Sequence, residues 1–187
     1  MAWTNQPFET LIARAYGVSP WYVTAVTPLP KGEFDYMATT SQQPRDSLQA
    51  MIRSKYGLVG LRKTRETDVL LLTVRRPNAS GLKPNFTGGI ETSTAKTGSL
   101  SRVNGPIRSL AFDLENCLQI PVIDQTGLTG RFNYDLEWDD QLEWDNDTGR
   151  NHISNPEGLK QALLDQLGLE LVPTNMPIEM LVVEKAK

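Results

Sequence analysis

The sequence predicts an α+β protein built from two similar β-α-β-α-β-β subdomains, with helices packed on small, mainly antiparallel sheets. Three observations lead to this prediction. Apolar residues recur at helical spacing in several segments, short strand-like runs stand between them, and the blocks of the first half return in the same order in the second. The chain has 187 residues, which is enough for a sizeable core without disulfide bonds or a structural metal.

The internal repeat is seen in three matched blocks. Residues 5–8 and 104–107 both read Asn-x-Pro followed by a large apolar residue; the other two pairs are 34–36 with 132–134 and 48–58 with 159–169. The offset grows from 98 to 111 residues between the second and third blocks, which indicates an insertion. We therefore expect subdomains at 1–76 and 102–187, a connection at 77–101 and an acidic insertion at about 139–155.

Each half begins with a short strand followed by an amphipathic helix. Pro7 and Pro106 suit the first turn of a helix, and Gly17 is placed to cap the end of the first one. An aromatic-rich strand is expected next, at 34–38 and at 132–138. The predicted apolar helix faces consist of Phe8, Leu11, Ile12 and Ala15 in the first half and of Ile107, Leu110, Ala111 and Leu114 in the second.

A second helix and two strands complete each half. Helices are predicted at 45–56 and 156–167, because Gly57 and Gly168 stand just past their ends. The strands that follow are expected to form hairpins: 58–62 pairs with 68–75 in the first half, and 169–172 pairs with 178–184 in the second. The intervening residues 77–101 are rich in Gly, Ser, Thr and Asn, which is typical of a connection.

The composition argues against several classes of function. The net charge of −3 is unlike the strongly basic surface of a general nucleic-acid-binding domain. One cysteine and one histidine exclude an intrachain disulfide, an all-cysteine metal site and a multi-histidine zinc site. No run approaches the ~20 apolar residues of a membrane-spanning helix. No pattern indicates a cofactor.

The acidic stretch between residues 135 and 147 is the first candidate site. Asp145 and Asp147 stand at alternating positions, as oxygen ligands do in a calcium loop. However, glycine is fifth rather than sixth, and Pro156 occupies the twelfth position where an EF-hand has glutamate. A solvated inserted loop is the favoured interpretation, and a glycosidase-type pair of carboxylates is an alternative.

Two further patterns indicate structure rather than chemistry. Residues 126–131, Thr-Gly-Leu-Thr-Gly-Arg, lack the Gly-Lys-Ser/Thr of a phosphate-binding loop and predict a tight turn. Cys117 and His152 have no third orienting group that would make them a nucleophile and base. We expect Cys117 to be a core or half-buried thiol and predict no catalytic residue.

Exposed aromatic and basic residues form the candidate interaction surface. Trp21 and Tyr22 follow Ser-Pro outside a regular helix face, and Trp144 lies in the acidic insertion. Large aromatic side chains supply much contact area to protein or sugar partners. Arg75 and Arg76 add a local basic patch that is too small to indicate nucleic-acid binding.

The run from Pro121 to Trp138, PVIDQTGLTGRFNYDLEW, closely resembles the signature of a bacterial family of unknown function first noted in soil acidobacteria. Residues 11–17, 163–171 and 177–184 match further hallmarks of that family. Each half is also similar to the short N-terminal domain of secretins and TonB-dependent receptors. The resemblance implies an extracytoplasmic location, because members usually carry leader peptides, and it implies no established catalytic residue.

These observations together lead us to expect a non-catalytic, extracytoplasmic interaction or sensor module that binds a protein or an envelope component. One alternative is a hydrolase that acts on an envelope polymer through the acidic carboxylates. The other is a small-ligand binder in a crevice between the subdomains. The identity of the partner or ligand and the oligomeric state stay open at this point.

Overall fold

A computed structural model of the protein describes residues 2–37, 44–145 and 150–187. In chain order its elements are β1 (Ala2–Pro7), α1 (Phe8–Tyr16), a 3-10 helix (Pro20–Tyr22), β2 (Val23–Ala25), β3 (Glu33–Met37), α2 (Pro44–Tyr56), β4 (Leu58–Val74), β5 (Lys83–Pro84), β6 (Thr92–Lys96), β7 (Ser99–Gly105), α3 (Ile107–Leu118), β8 (Val122–Asp124), β9 (Phe132–Glu137), β10 (Leu142–Asp145), β11 (Arg150–Ile153), α4 (Pro156–Leu167) and β12 (Leu169–Lys185). This content confirms the α+β class. None of the helices in the described ranges is long and apolar enough to cross a membrane.

The chain divides into two compact units. The first unit consists of Met1–Thr67 and Met176–Lys187, and the second consists of Asp68–Asn175. The unit boundaries therefore fall inside β4 and β12. The repeat boundaries expected from the sequence fall elsewhere, within 77–101, and the two-subdomain division stays a prediction about the sequence.

The first unit packs helices α1 and α2 around a small apolar core. Strand β1 pairs antiparallel with β3, and β2 pairs in parallel with the last part of β12. Phe8 of α1 contacts Phe34 and Tyr56 edge-to-face, at centroid distances of 5.2 and 4.7 Å. The buried residues of this core are Phe8, Ile12, Ala15, Leu48, Ile52, Leu58, Leu181 and Val183.

The second unit contains the larger core, between α3, α4 and an antiparallel sheet of order β5-β9-β7-β6. Strand β8 pairs in parallel with the last part of β4, and β10 and β11 form an antiparallel hairpin. Side chains from both helices and from the strands are fully buried in this core: Leu72, Leu110, Leu114, Leu136, Leu159 and Leu163.

The predicted helix bounds are confirmed within one or two residues. Helix α1 follows Pro7 and ends at Gly17, whose φ of +67° is the left-handed cap conformation. Helix α2 runs to Tyr56, and α4 occupies 156–167 as predicted. At the start of α4 the Asn155 side-chain oxygen accepts a hydrogen bond from the Gly158 amide at 2.8 Å, which caps the first turn.

The hairpins predicted after α2 and α4 are wrong, because β4 and β12 are each one continuous strand of 17 residues. Residues 64–67 of β4 read Thr-Arg-Glu-Thr and contain no glycine, proline or asparagine that would favour a turn. In β12 the residues between the two predicted strands, 173–177, begin and end with Pro173 and Pro177. A proline removes an amide donor, but its fixed φ does not end an extended chain.

Two other segments have more structure than the sequence indicates. Residues 77–101, predicted as a connection, contain β5 and β6 and the beginning of β7, and all of these strands belong to the sheet of the second unit. The acidic insertion, predicted as a solvated loop, contains the hairpin of β10 and β11. Short polar strands of this kind lack the apolar alternation by which strands are recognised in a sequence.

The two Asn-x-Pro segments have the same local conformation. Asn5 and Asn104 both adopt a positive φ, of 54° and 55°. Each lies where the register shifts, in the pairing of β1 with β3 and of β7 with β9. Asparagine is among the few residues that tolerate this backbone region. The match agrees with the predicted repeat, although the duplication itself stays a prediction.

Candidate functional site

The signature segment 121–138 forms β8, a turn and β9. In the turn, the Asp124 carboxylate accepts hydrogen bonds from the amide and hydroxyl of Thr126, at 2.9 and 2.7 Å. Gly127 and Gly130 both have a positive φ. The predicted positive φ at both glycines is therefore confirmed, and residues 126–131 connect β8 to β9, with Arg131 directly before that strand and Asn133 and Tyr134 within it.

A buried arginine organises the polar side chains around this sheet. Arg102 on β7 is 8% exposed. Its Nη1 lies 2.6 Å from Glu91, its Nη2 lies 2.6 Å from Asp113, and its Nε donates to the Tyr134 hydroxyl at 3.2 Å. Burial disfavours the charged form, but the hydrogen bonds and charge of Asp113 and Tyr134 outweigh it and raise the pKa of Arg102.

A second arginine, Arg131, also forms an ion pair with Glu91. Arg131 Nη2 lies 2.7 Å from the other Glu91 oxygen, and its Nε donates to the backbone and side-chain oxygens of Asn104 at 2.7 and 3.0 Å. The Ser109 hydroxyl also donates to Glu91, at 3.1 Å. Partial burial works against ionisation, but the bonds from Arg102, Ser109 and Arg131 prevail and lower the pKa of Glu91.

These side chains form a polar network that holds the segment 85–91, which we name the apolar loop. The network consists of Glu91, Arg102, Asn104, Ser109, Asp113, Arg131, Asn133 and Tyr134. The loop begins at Asn85, whose amide donates to the Arg131 carbonyl at 2.7 Å and whose side chain donates to Asn133 at 3.1 Å. The loop ends at Glu91, which is held between the two arginines.

The middle of the apolar loop is also fixed. The Asn104 side chain, only 2% exposed, donates to the Gly89 carbonyl at 2.5 Å, and the Asn104 amide donates to Asn133 at 2.7 Å. Near its start, Asn85 accepts a hydrogen bond from the Thr87 amide at 2.9 Å. The loop is therefore attached to the network at its beginning, middle and end.

The apolar loop presents two large hydrophobic side chains to solvent. Phe86 is 92% exposed and Ile90 is 86% exposed. Gly88 and Gly89, with φ of +70° and +111°, form the bend between them. A large apolar side chain with almost all of its surface in water contributes little to folding stability. These two side chains are therefore the strongest candidates in the second unit for contact with a binding partner.

Two ionisable groups of the network have pKa values that are shifted away from neutral pH. Catalytic acids and bases are most efficient with a pKa near the working pH. Here the pKa of Glu91 is lowered, whereas burial and the charge of Asp113 raise the pKa of Tyr134. Each of these groups is thus held in its ordinary charge state at neutral pH.

Comparison with known families gives one match. Residues 9–186 match the model of the family described as "Protein of unknown function (DUF3738)". The chain belongs to this family. Neither the curated proteins nor the solved structures contain a match to the chain. The resemblance read from residues 121–138 is thereby confirmed as far as a family of unknown function, while the soil association and the secretin/TonB similarity stay predictions.

The predicted interaction residues lie in both units. In the first unit, Trp21 and Tyr22 form the 3-10 helix and are half-buried. In the second unit, the exposed Arg75 and Arg76 lie 3.9 Å from Glu170 and 3.1 Å from Asp165, respectively. Trp144 lies in β10 of the same unit. A role for these residues in partner binding stays a prediction.

The calcium candidates gain no support from the described residues. Asp145 ends β10, and Asp147 lies outside the described residues. Within residues 2–37, 44–145 and 150–187, no three acidic, histidine or cysteine side chains are grouped as a metal site would require.

Asp140 has a structural role that the sequence did not reveal. It accepts hydrogen bonds from the amides of Gln141, Ser154 and Asn155, at 2.8, 2.8 and 3.1 Å, and from the Ser154 hydroxyl at 2.9 Å. Partial burial alone would raise the pKa of Asp140, but contacts with Ser154, Trp138 and Asn155 lower it. Asp140 therefore closes the base of the β10–β11 hairpin. Its partners Ser154 and Asn155 lie 14 and 15 positions later in the chain, so no local sequence pattern indicates this role.

Cys117 is half-buried, as predicted, and packs against the core of the second unit. Burial, followed by the negative charges of Asp113 and Asp140, raises its pKa to about 11. Since the thiolate is the reactive form, this thiol is a poor nucleophile at neutral pH.

Proposed function

We propose that this family member is a non-catalytic, extracytoplasmic interaction or sensor module, and that it binds a protein or an envelope component through the apolar loop. One observation carries the proposal: Phe86 and Ile90 are almost fully exposed on a loop that the polar network attaches at three points. The extracytoplasmic location rests on the sequence resemblance alone.

The apolar loop combines contact area with little conformational freedom. Burying one large apolar side chain against a partner contributes about 1.5–3 kcal/mol. Because the loop is already held by Arg131, Asn133 and Asn104, little further ordering entropy has to be lost on binding. Exposed aromatic side chains on fixed backbones are typical of the residues that dominate binding energy.

The charge states of Asp140 and Glu91 count against these two carboxylates as the acid of the hydrolase alternative. Hydrolysis of a glycan by paired carboxylates requires one acid whose pKa is raised by its surroundings. Hydrogen bonds instead lower the pKa of Asp140 in the acidic insertion and of Glu91 in the polar network. Both carboxylates are therefore poor proton donors at neutral pH.

The experiment that tests this proposal uses a photo-crosslinking amino acid placed at position 86. The control carries the same group at position 37, because Met37 is also a highly exposed apolar residue, at 77%, and belongs to the first unit. Each purified protein is illuminated in a bacterial envelope extract, with and without EDTA, and cross-linked species are identified by mass spectrometry.

We expect a discrete cross-linked species from position 86 that is absent from position 37. It should be lost by competition with the unlabelled chain but not with a Phe86→Ser/Ile90→Ser variant, and it should persist in EDTA. Identical products from both positions, or equal competition by the variant, would contradict a role for the apolar loop. Loss in EDTA would instead favour a cation-dependent site in the acidic insertion.

A further inference from the structure

The second unit contains an open pocket of about 440 Å³ that is separate from the exposed tips of the apolar loop. This volume falls within the range of small-molecule sites. The wall is formed mostly by hydrophobic side chains from β4, the 77–84 segment, the signature turn, β9 and the region where α4 meets β12. Its large apolar members are Val74, Leu82, Leu128, Phe132, Leu167 and Leu169.

Close backbone contacts fix the shape of this pocket before any ligand arrives. Gly81 lies so near the Gln166 carbonyl oxygen that a Cβ atom at position 81 would collide with it. Gly168 approaches the Arg76 carbonyl in the same way. The Gly168 carbonyl also accepts hydrogen bonds from the amides of Arg75 and Arg76, both at 2.9 Å. The 77–84 wall is therefore attached to the end of α4.

The charged side chains of the pocket are all positive. They are Arg76 and Lys83, and no aspartate or glutamate lines the pocket. Arg76 is partly neutralised, because its Nη1 lies 3.1 Å from Asp165. Lys83 on β5 is exposed, and among the described residues it has no ion-pair partner. An apolar wall beside an unpaired ammonium group is complementary to a ligand with a hydrocarbon body and an anionic head.

We propose that this pocket binds a small amphipathic anion, a monocarboxylate whose hydrocarbon part packs against Leu82, Leu128 and Phe132 and whose carboxylate lies beside Lys83. The inference stands apart from the proposed function, because it uses neither Phe86 nor Ile90. A neutral apolar ligand would gain nothing from Lys83, and a cationic one would be repelled by both basic residues.

The test is a titration of the purified full chain with straight-chain carboxylates, observed by the NMR shifts of backbone amides. Hexanoate, octanoate and decanoate are compared with decylammonium, which has the same number of carbon atoms as decanoate and the opposite charge. We expect saturable shifts at Ala79, Leu82 and Leu128, with Kd tightening by up to about fourfold for each added methylene. Decylammonium should bind at least about fivefold more weakly than decanoate.

Two variants separate the charge from the apolar wall. Lys83→Glu, at an exposed position, should weaken decanoate about fivefold and strengthen decylammonium. Lys96→Glu, at an exposed lysine of β6 outside the pocket, is the matched control and should change neither affinity by more than about twofold. Leu128→Trp should fill the pocket and abolish saturable binding of both ligands.

Several results would overturn the proposal. Shifts confined to the apolar loop, or an absence of saturable shifts, would show that the pocket does not hold a hydrocarbon chain. Equal binding of decanoate and decylammonium would remove the anion specificity, as would an unchanged preference in Lys83→Glu. None of these results would change the cross-linking expected from position 86, so the two proposals fail separately.

Discussion

The segments around Asn5 and Asn104 share one backbone conformation, but the side chains around them differ. In each, an asparagine with positive φ sits at a register shift, and its amide donates to a side-chain oxygen of the following partner strand. The acceptor is Asp35 in the first unit, at 2.8 Å, and Asn133 in the second, at 2.7 Å. Both acceptors stand between a phenylalanine and a tyrosine.

The two asparagines differ in their burial and in the side chains that contact them. Asn5 is exposed, whereas Asn104 is 2% exposed and bonded to Arg131 and Gly89. In the second unit Arg102 is paired with Tyr134 across the strands. In the first unit the matching position, paired with Tyr36, is Trp3. A shared turn therefore sets the chain path in both units. Among the residues that the structure describes, it is the second unit in which charged side chains hold an apolar loop.

Core substitutions should have the largest effect and test whether the two halves correspond. Leu48 of α2 and Leu159 of α4 occupy matched positions and are both fully buried. Leu48→Ala and Leu159→Ala should each lower the free energy of unfolding by about 2–5 kcal/mol, measured by urea denaturation. A cost below about 0.5 kcal/mol for one of them would break the correspondence.

Removal of the central arginine should come next. Arg102→Met leaves Glu91 and Asp113 without their closest cation, and we expect a loss of about 2–3 kcal/mol, below the cost of a fully buried pair because both carboxylates are partly exposed. Arg108→Met, at an exposed arginine of α3, is the control and should stay within about 0.5 kcal/mol of the parent chain. Equal stabilities for the two variants would contradict the structural importance of the network.

Alanine substitutions of Asn5 and Asn104 test the two matched positions directly. Asn5→Ala should cost about 1 kcal/mol, because alanine is strained at positive φ. Asn104→Ala should cost roughly twice as much, since it also breaks buried hydrogen bonds to Gly89 and Arg131. Calorimetric melting of the two variants checks the order, and equal losses would mean that the network adds nothing to the shared turn.

The smallest expected effect concerns acid stability. The lowered pKa of Asp140 means that its ionised form stabilises the fold. That contribution is fully present above the unfolded pKa of about 4 and is lost as the pH falls through the lower folded value. Asp140→Asn should cost about 1 kcal/mol at pH 7 and progressively less on acidification.

Asp139→Asn is the control for this pH series, because Asp139 is exposed and offers its backbone carbonyl rather than its carboxylate to Asn155. Unfolding curves from pH 7 to pH 3 measure the difference between the two variants. A difference that is constant over this range would show that the Asp140 charge has no stabilising role.

The sequence predicted the elements whose boundaries are fixed by a local residue. The prolines before α1 and α3 and the glycines after α1, α2 and α4 act within one turn of chain, so the helices were found at their correct positions. The long strands β4 and β12 were each misread as two strands. Pro173 and Pro177 favour a turn locally in β12 but do not end an extended strand, and residues 64–67 of β4 include no comparable turn residue.

The candidate site could not be predicted from local pattern. Arg102 meets Tyr134 across 32 positions, and Arg131 meets Glu91 across 40, so no helical or strand period records these contacts. The exposure of Phe86 and Ile90 was missed for a related reason. Their loop is rich in Gly, Thr and Asn, which indicates a connection but not which side chains the buried network leaves in solvent.

The polar network of the second unit fixes the apolar loop. The most direct measurement is the NMR order parameter of the backbone amides at 86–90, in the parent chain and in Asn104→Ala. We predict values of about 0.85 in the parent chain, equal to those of β7, and values below about 0.6 in the variant. Values below about 0.6 in the parent chain itself, or no change in the variant, would contradict the claim.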